Sequence, residues 1–130
     1  MGQAAVVSDS FGRPCPCGSG AVYEACCQPL HHGARQADTA EELMRSRYAA
    51  YATGEADYLF RTWHPRTRPT AVTVDADVVW RGLRITDVVA GGSADSVGEV
   101  EFTAAYDDGS MHERSRFERR GGRWVYVDGD

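Results

Sequence analysis

Glu99-Val100-Glu101-Phe102-Thr103-Ala104-Ala105-Tyr106-Asp107-Asp108-Gly109 is the stretch that decides the fold of this chain. Val100, Phe102, Ala104 and Tyr106 alternate with Glu99, Glu101, Thr103 and Ala105. A period of two is what a strand shows when one face is buried and the other is wet. Asp107-Asp108-Gly109 supplies turn residues, so the chain doubles back through Ser110 to Arg119 as a hairpin. Gly121-Gly122 turns it again, and Trp124 to Val127 closes an antiparallel sheet. Upstream, Leu83, Ile85 and Val89 lie in one further strand that Gly91-Gly92 breaks, while Ala71 to Val79 fits either a strand or a short helix.

Nearer the N-terminus the period becomes helical. Thr39 is placed to cap a helix, with Glu42 three residues on completing a capping box. Leu43, Met44, Tyr48, Tyr51 and Ala52 form one apolar stripe, and Gly54 ends the helix. Ala56, Leu59, Phe60 and Trp63 mark a second helix that His64-Pro65 stops. Two helices over a meandering antiparallel sheet predict an α+β domain spanning residues 35–130. Residues 1–34 precede it as a small cysteine-bearing unit with its linker. No repeat or low-complexity tract interrupts the chain.

The composition is that of an ordinary globular domain, with 42% hydrophobic and 25% charged residues. A net charge of −5 argues against electrostatic coating of nucleic acid. All 14 basic residues are arginine. Arg61, Arg66 and Arg68 cluster after the second helix, and against the acidic balance they read as a solvated patch, not a direct nucleic-acid contact. No apolar run approaches the roughly 20 residues a membrane helix needs. The first ten residues lack a basic region followed by an apolar core, so the expected location is the cytoplasm.

All four cysteines fall in Cys15-Pro16-Cys17-Gly18-Ser19-Gly20-Ala21-Val22-Tyr23-Glu24-Ala25-Cys26-Cys27. Disulfides would need an oxidising compartment, and neighbours such as Cys26 and Cys27 pair only with strain. Zinc meets neither objection, because two close pairs on a tight turn supply its four tetrahedral ligands. Pro14 and Pro16 stiffen the first pair, Gly18 and Gly20 let the backbone turn its amides toward the sulfurs, and Ala21 to Cys27 makes a short helical turn. The expected centre is one zinc on Cys15, Cys17, Cys26 and Cys27. Four thiolates leave no open position for water, so the site is structural. His31 and His32 follow closely; with four cysteines present they read as polar linker residues.

The Cys-x-Cys-x8-Cys-Cys spacing, with Gly18-Ser19-Gly20 and Tyr23 inside it, resembles the SEC-C motif, the zinc knuckle found at the tail of the SecA translocation motor and on many other bacterial proteins. That resemblance implies a protein or ribosome partner engaged through the knuckle. Leu43-Met44-Arg45-Ser46-Arg47-Tyr48, Ala56-Asp57-Tyr58-Leu59, Thr62-Trp63-His64-Pro65, Glu113-Arg114-Ser115-Arg116-Phe117 and Trp124-Val125-Tyr126-Val127-Asp128-Gly129 are similar to the YchJ family. The family resemblance implies the cone-shaped fold of nuclear transport factor two, with helices over a curved sheet. Some relatives carry a second knuckle at the C-terminus; none follows here, so a grip through two knuckles is not expected. Such domains often dimerise through the open sheet face. Val125 and Val127, opposite Trp124 and Tyr126, hint that both faces are covered, which makes a homodimer one expectation.

Cone folds usually hold a pocket between sheet and helices. With Phe117 facing the core, Ser115, Glu113 and Met111 point inward with it. A buried carboxylate needs a partner, which Arg45, Arg47, Tyr48 or His64 is placed to supply. Glu113, His64, Arg47 and Tyr48 are therefore the candidates for a ligand or catalytic site; alternatively, Glu113 sits in a network that fixes the helices on the sheet. A deep cavity in which Glu113 has no arginine partner would favour the ligand site. His112 faces away from Glu113, and Trp63, Trp80 and Trp124 read as core. No phosphate loop after a strand, nucleophile elbow or metalloprotease helix is present.

Overall fold

In the computed structural model, which describes residues 12–130, the strands run β1 (Trp80–Ala90), β2 (Val97–Tyr106), β3 (Gly109–Arg120) and β4 (Arg123–Gly129). The opening ten residues, on which the expectation of no leader rests, lie outside the described part. The sheet is a simple antiparallel meander in that order. Tyr106 faces Gly109 across the Asp107-Asp108 turn, and Arg120 faces Arg123 across Gly121-Gly122. Gly121 and Gly122 have φ of 60° and 84°. Positive φ at both central positions gives the hairpin turn whose twist matches its strands, and glycine reaches it without steric cost.

The two edges of the sheet differ. Along β4 the chain pairs with itself: Trp63 bridges Tyr126 in parallel, Tyr126 N donates to Thr62 O at 2.8 Å, and His64 N donates to Tyr126 O at 2.8 Å. Thr67 Oγ1 also donates to Val127 O. Val125 and Val127 are thus buried at 7% and 6% exposure within the single chain, and their covering needs no second copy. Along β1 no strand pairs on the outer side among the described residues, and Val88 and Val89 stay 42% and 47% exposed.

Among the described residues three α-helices accompany the sheet: α1 (Gln28–His31), α2 (Ala40–Thr53) and α3 (Ala56–Arg61). Thr39 Oγ1 accepts the Glu42 amide at 3.1 Å, but the Glu42 carboxylate reaches back to Asp38 N, so the capping box is offset by one residue. Leu43, Met44 and Tyr48 bury against the sheet as the stripe predicts. Ala52 is exposed instead, and Ser46, Arg47, Ala49 and Ala50 are buried as well. The apolar face is wider than the periodicity indicates because α2 has a second neighbour, the cysteine unit, which packs around Ala49. The N-terminus of α2 rests on a backbone crossing. Ala40 N donates to Gly91 O at 2.9 Å, and a Cβ at Gly98 would lie 2.5 Å from Gly91 Cα. α3 stops at Arg61, earlier than Pro65 requires, because Thr62 to His64 already serve β4.

The stretch Ala71–Val79 is neither strand nor helix. Val72 and Val74 do pack on the core, but Asp75 Oδ1 accepts the Asp77 amide at 2.9 Å and closes a local turn that ends any ladder.

Candidate metal centre and adjoining cavity

Cys15 and Cys17 sit on a loop closed by a short bridge between Pro14 and Val22, and Cys26 and Cys27 follow a single 3-10 turn at Tyr23–Ala25. Gly18 and Gly20, at φ 80° and 91°, turn the loop so that the amides of Cys17 and Ser19 reach the sulfurs of Cys15 and Cys17. The four sulfurs all lie within 4.8 Å of one another. Cys15, Cys17 and Cys27 are buried and Cys26 is half-buried. Hydrogen bonds from Cys15 and Cys27 draw the Cys17 thiol far below its ordinary range. The same contact with Cys17 pushes Cys15 up to about 11, and the contacts with Cys15 and Cys17 raise Cys27 further. A divalent cation shared by four thiolates removes that competition for protons, so the donor set fits a metal.

This unit is fastened to the domain. Arg45 Nη1 donates to Cys17 O at 2.7 Å, and Arg61 Nη2 donates to His31 O at 2.6 Å. His31, expected in a polar linker, closes α1 and is only 3% exposed. Its Nε2 lies 2.8 Å from Ser46 O, which can only accept, so Nε2 carries the proton and Nδ1 accepts from Tyr23 OH at 2.7 Å. With both ring nitrogens engaged, His31 is not a spare ligand; burial lowers its pKa. His32 is exposed. Ser46 OH and Tyr58 OH lie 2.7 Å apart beneath, a buried polar cluster that the sequence reading did not find. Ser46, three residues along the helix from both Leu43 and Ala49, was its one signal.

On the other side of α2, between helix and sheet, lies a cavity of about 380 Å³. Its walls are mainly rings, including Tyr48, Tyr51, Trp63, Trp80 and Tyr126, and its polar groups come from Arg47, Glu113 and Ser115. Trp63 and Trp80 are therefore half-buried cavity wall, whereas Trp124, 2% exposed, is core. Glu113 points inward as strand alternation predicts, but its partners are not those expected. Glu113 Oε2 accepts from Ser115 Oγ at 2.7 Å and from Tyr126 OH at 2.9 Å. Arg45 is occupied with Glu41 and Cys17, and Tyr48 and Arg47 line the cavity without bonding the carboxylate. Space for Glu113 comes from Gly129, where a Cβ would stand 2.1 Å from Oε2.

Arg47 is 6% exposed, and among the described residues it has no carboxylate within 4.0 Å. Its Nη1 donates to Leu59 O at 2.9 Å and Thr62 Oγ1 at 2.8 Å. Its guanidinium sits 5.0 Å and 4.7 Å from the ring centres of Trp63 and Tyr126. Burial lowers its pKa. Burial, and then the charge of Glu113, raises the Tyr126 phenol. Trp63 Nε1 is buried without a hydrogen-bond partner among the described residues. His64 does not join this group: its Nδ1 accepts the Arg66 amide at 2.9 Å and its Nε2 stands 3.8 Å from Glu118. The main-chain pairing with β4 carries it past the cavity.

Residues 39–129 match the family described as YchJ, middle NTF2-like domain, and residues 14–29 match the SEC-C motif. A UPF0225 protein of Streptomyces coelicolor is 54% identical over 117 residues, covering 90% of this chain and 94% of that protein. One of Deinococcus radiodurans is 54% identical over 121 residues, covering 89% and 88%. The solution structure of a SEC-C motif containing protein from Rhodopseudomonas palustris superposes with a TM-score of 0.76 at 39% identity, covering 89% of this chain and 96% of that one. No helix among the described residues is long and apolar enough to cross a membrane.

Proposed function

We propose, from the premise that this chain belongs to the YchJ (UPF0225) family, that it is a zinc-braced binding protein whose cone cavity takes a small amphipathic carboxylate. One observation carries the reading: Arg47, a buried cation with no carboxylate within 4.0 Å among the described residues, stands on the wall of a ring-lined cavity. A buried charge without a counter-ion is costly, and an anionic ligand relieves that cost. The aromatic walls suit an apolar or planar body, and the second oxygen of Glu113 suits a ligand hydroxyl or N–H. Glu113 has no arginine on it, the condition that favours a ligand site over a structural ion pair.

The brace is the metal. Thiolates about 2.3 Å from a tetrahedral zinc stand about 3.8 Å apart. Cys17 and Cys26 sulfurs are 3.6 Å apart, and those of Cys26 and Cys27 are 3.9 Å apart. Four free thiolates suit a reducing cytoplasm. Elemental analysis of protein purified under reducing conditions should return one zinc per chain.

The cavity is tested with a panel of aromatic carboxylates, read by tryptophan fluorescence and by melting temperature. Arg47→Met should abolish binding of the best ligand, whereas Glu113→Gln should weaken only ligands that carry a hydroxyl or N–H and leave the melting temperature nearly unchanged, since the amide oxygen still accepts from Ser115 and Tyr126. A large loss of stability with binding intact would return Glu113 to a structural role and overturn the reading. A second reading, docking of a protein or ribosomal partner on the knuckle, draws on the exposed outer loop Gly18–Ala21. Ala21→Arg on that loop should weaken capture of such a partner without metal loss.

A further inference from the structure

Eight of the fourteen arginines make no ion pair among the described residues, and four of those eight, Arg61, Arg68, Arg120 and Arg123, line a single cleft of about 360 Å³. Among the described residues, no aspartate or glutamate lines it. In a chain carrying 19 acidic residues, that gathering is not forced by composition. The sequence showed only part of it: Arg66, taken with Arg61 and Arg68 as one patch, pairs with Glu118 and leaves the group, while the β3–β4 hairpin brings Arg120 and Arg123 in from far along the chain.

Two of the four are fixed in place. Arg61 is tied to His31 O and lies 4.9 Å from the Tyr58 ring centre; Arg68 lies 3.9 Å from the Phe60 ring centre. The other two face each other directly, Arg120 opposite Arg123 at the mouth of the hairpin. Like charges in directly opposed strand positions destabilise a hairpin. Among the described residues no carboxylate offsets that repulsion, so the geometry asks for an external anion. Guanidinium forks bind phosphoryl oxygens in bidentate fashion. Two linked phosphoryl groups offer more charge and more acceptor oxygens than one, so they suit four arginines better than a single phosphate does. We propose that this cleft binds the pyrophosphate group of a small phosphorylated ligand, at a site separate from the cone cavity.

The test is titration calorimetry of the full zinc-loaded chain with inorganic pyrophosphate, with inorganic phosphate, and with a short single-stranded RNA. Pyrophosphate should bind more tightly than phosphate, and more weakly as salt is added. Arg120→Gln and Arg123→Gln should each weaken it about tenfold, the loss expected for one charge-assisted contact, without lowering the melting temperature. Arg84→Gln, which removes an exposed, unpaired arginine outside the cleft, should leave binding unchanged. No heat with millimolar pyrophosphate would overturn the proposal, as would equal weakening by Arg84→Gln. RNA binding that depends on Arg120 and Arg123 while pyrophosphate does not bind would overturn it in favour of a nucleic-acid surface.

Discussion

Stripping the metal from the four cysteines should unfold more than the knuckle. Leu30, 2% exposed, is buried in the main core, and burying a leucine contributes about 2 kcal/mol. Four side-chain bonds also cross from the knuckle and α1 to the helices: Arg45 to Cys17 O, His31 to Ser46 O, and Arg61 to both Leu30 O and His31 O. At about 1 kcal/mol each, they bring the docking contribution to roughly 6 kcal/mol. A domain of this size is stable by only about 5–15 kcal/mol, so a metal-free chain sits near its folding threshold. The assay is a thermal melt with and without a zinc chelator, read both by far-ultraviolet dichroism and by the fluorescence of Trp63 and Trp80 in the cavity wall. The two signals should move together, down by roughly 20 °C. A melting temperature for the cavity signal that shifts by less than about 5 °C, with only residues 14–31 losing hydrogen-exchange protection, would refute the reasoning and make the knuckle an independent arm.

Gly129→Ala should drive the Glu113 carboxylate off Tyr126 and Ser115, since its Cβ would lie 2.1 Å from Oε2. Stability should fall by about 2 kcal/mol, and the Tyr126 phenol, followed by its phenolate absorbance, should ionise at lower pH once that charge leaves. Gly98→Ala meets backbone instead of a movable side chain, 2.5 Å from Gly91 Cα, and should cost more, about 3 kcal/mol by urea melt. Tyr58 titrates near 12 in the fold, raised from 10.0 chiefly by burial. The unfolded chain therefore releases that proton first, so the stability it contributes is intact below pH 10.0 and is lost as pH climbs toward about 12. Denaturant midpoints across that window should fall, and Tyr58→Phe should flatten the fall.

The sheet was legible because β2 and β3 each bury one face: Val100, Phe102 and Ala104 are all core, and Asp107-Asp108 and Gly121-Gly122 turn where expected. The cysteine cluster was equally plain, since spacing alone brings four sulfurs together. The helix face was read too narrowly, because Ser46 and Ala49 are buried by a segment whose docking no local period encodes. The cavity was legible from one side only. Alternation on β3 aims Glu113 inward, but which hydroxyl meets it depends on the β3–β4 register, where a shift between Arg116 and Phe117 brings Tyr126 opposite Phe117 and Gly129 opposite Ser115. The arginine cleft escaped for the same reason, its members lying on two segments some sixty residues apart in the chain.

Among the described residues, a sheet whose last strand is capped at Tyr126 by its own chain and whose first has no outer strand offers one long open edge. Any copy that met this chain strand to strand would have to do so along Trp80–Ala90, and two such edges, once joined, leave nothing for a third to grasp. Lateral association along that edge would therefore favour a closed pair.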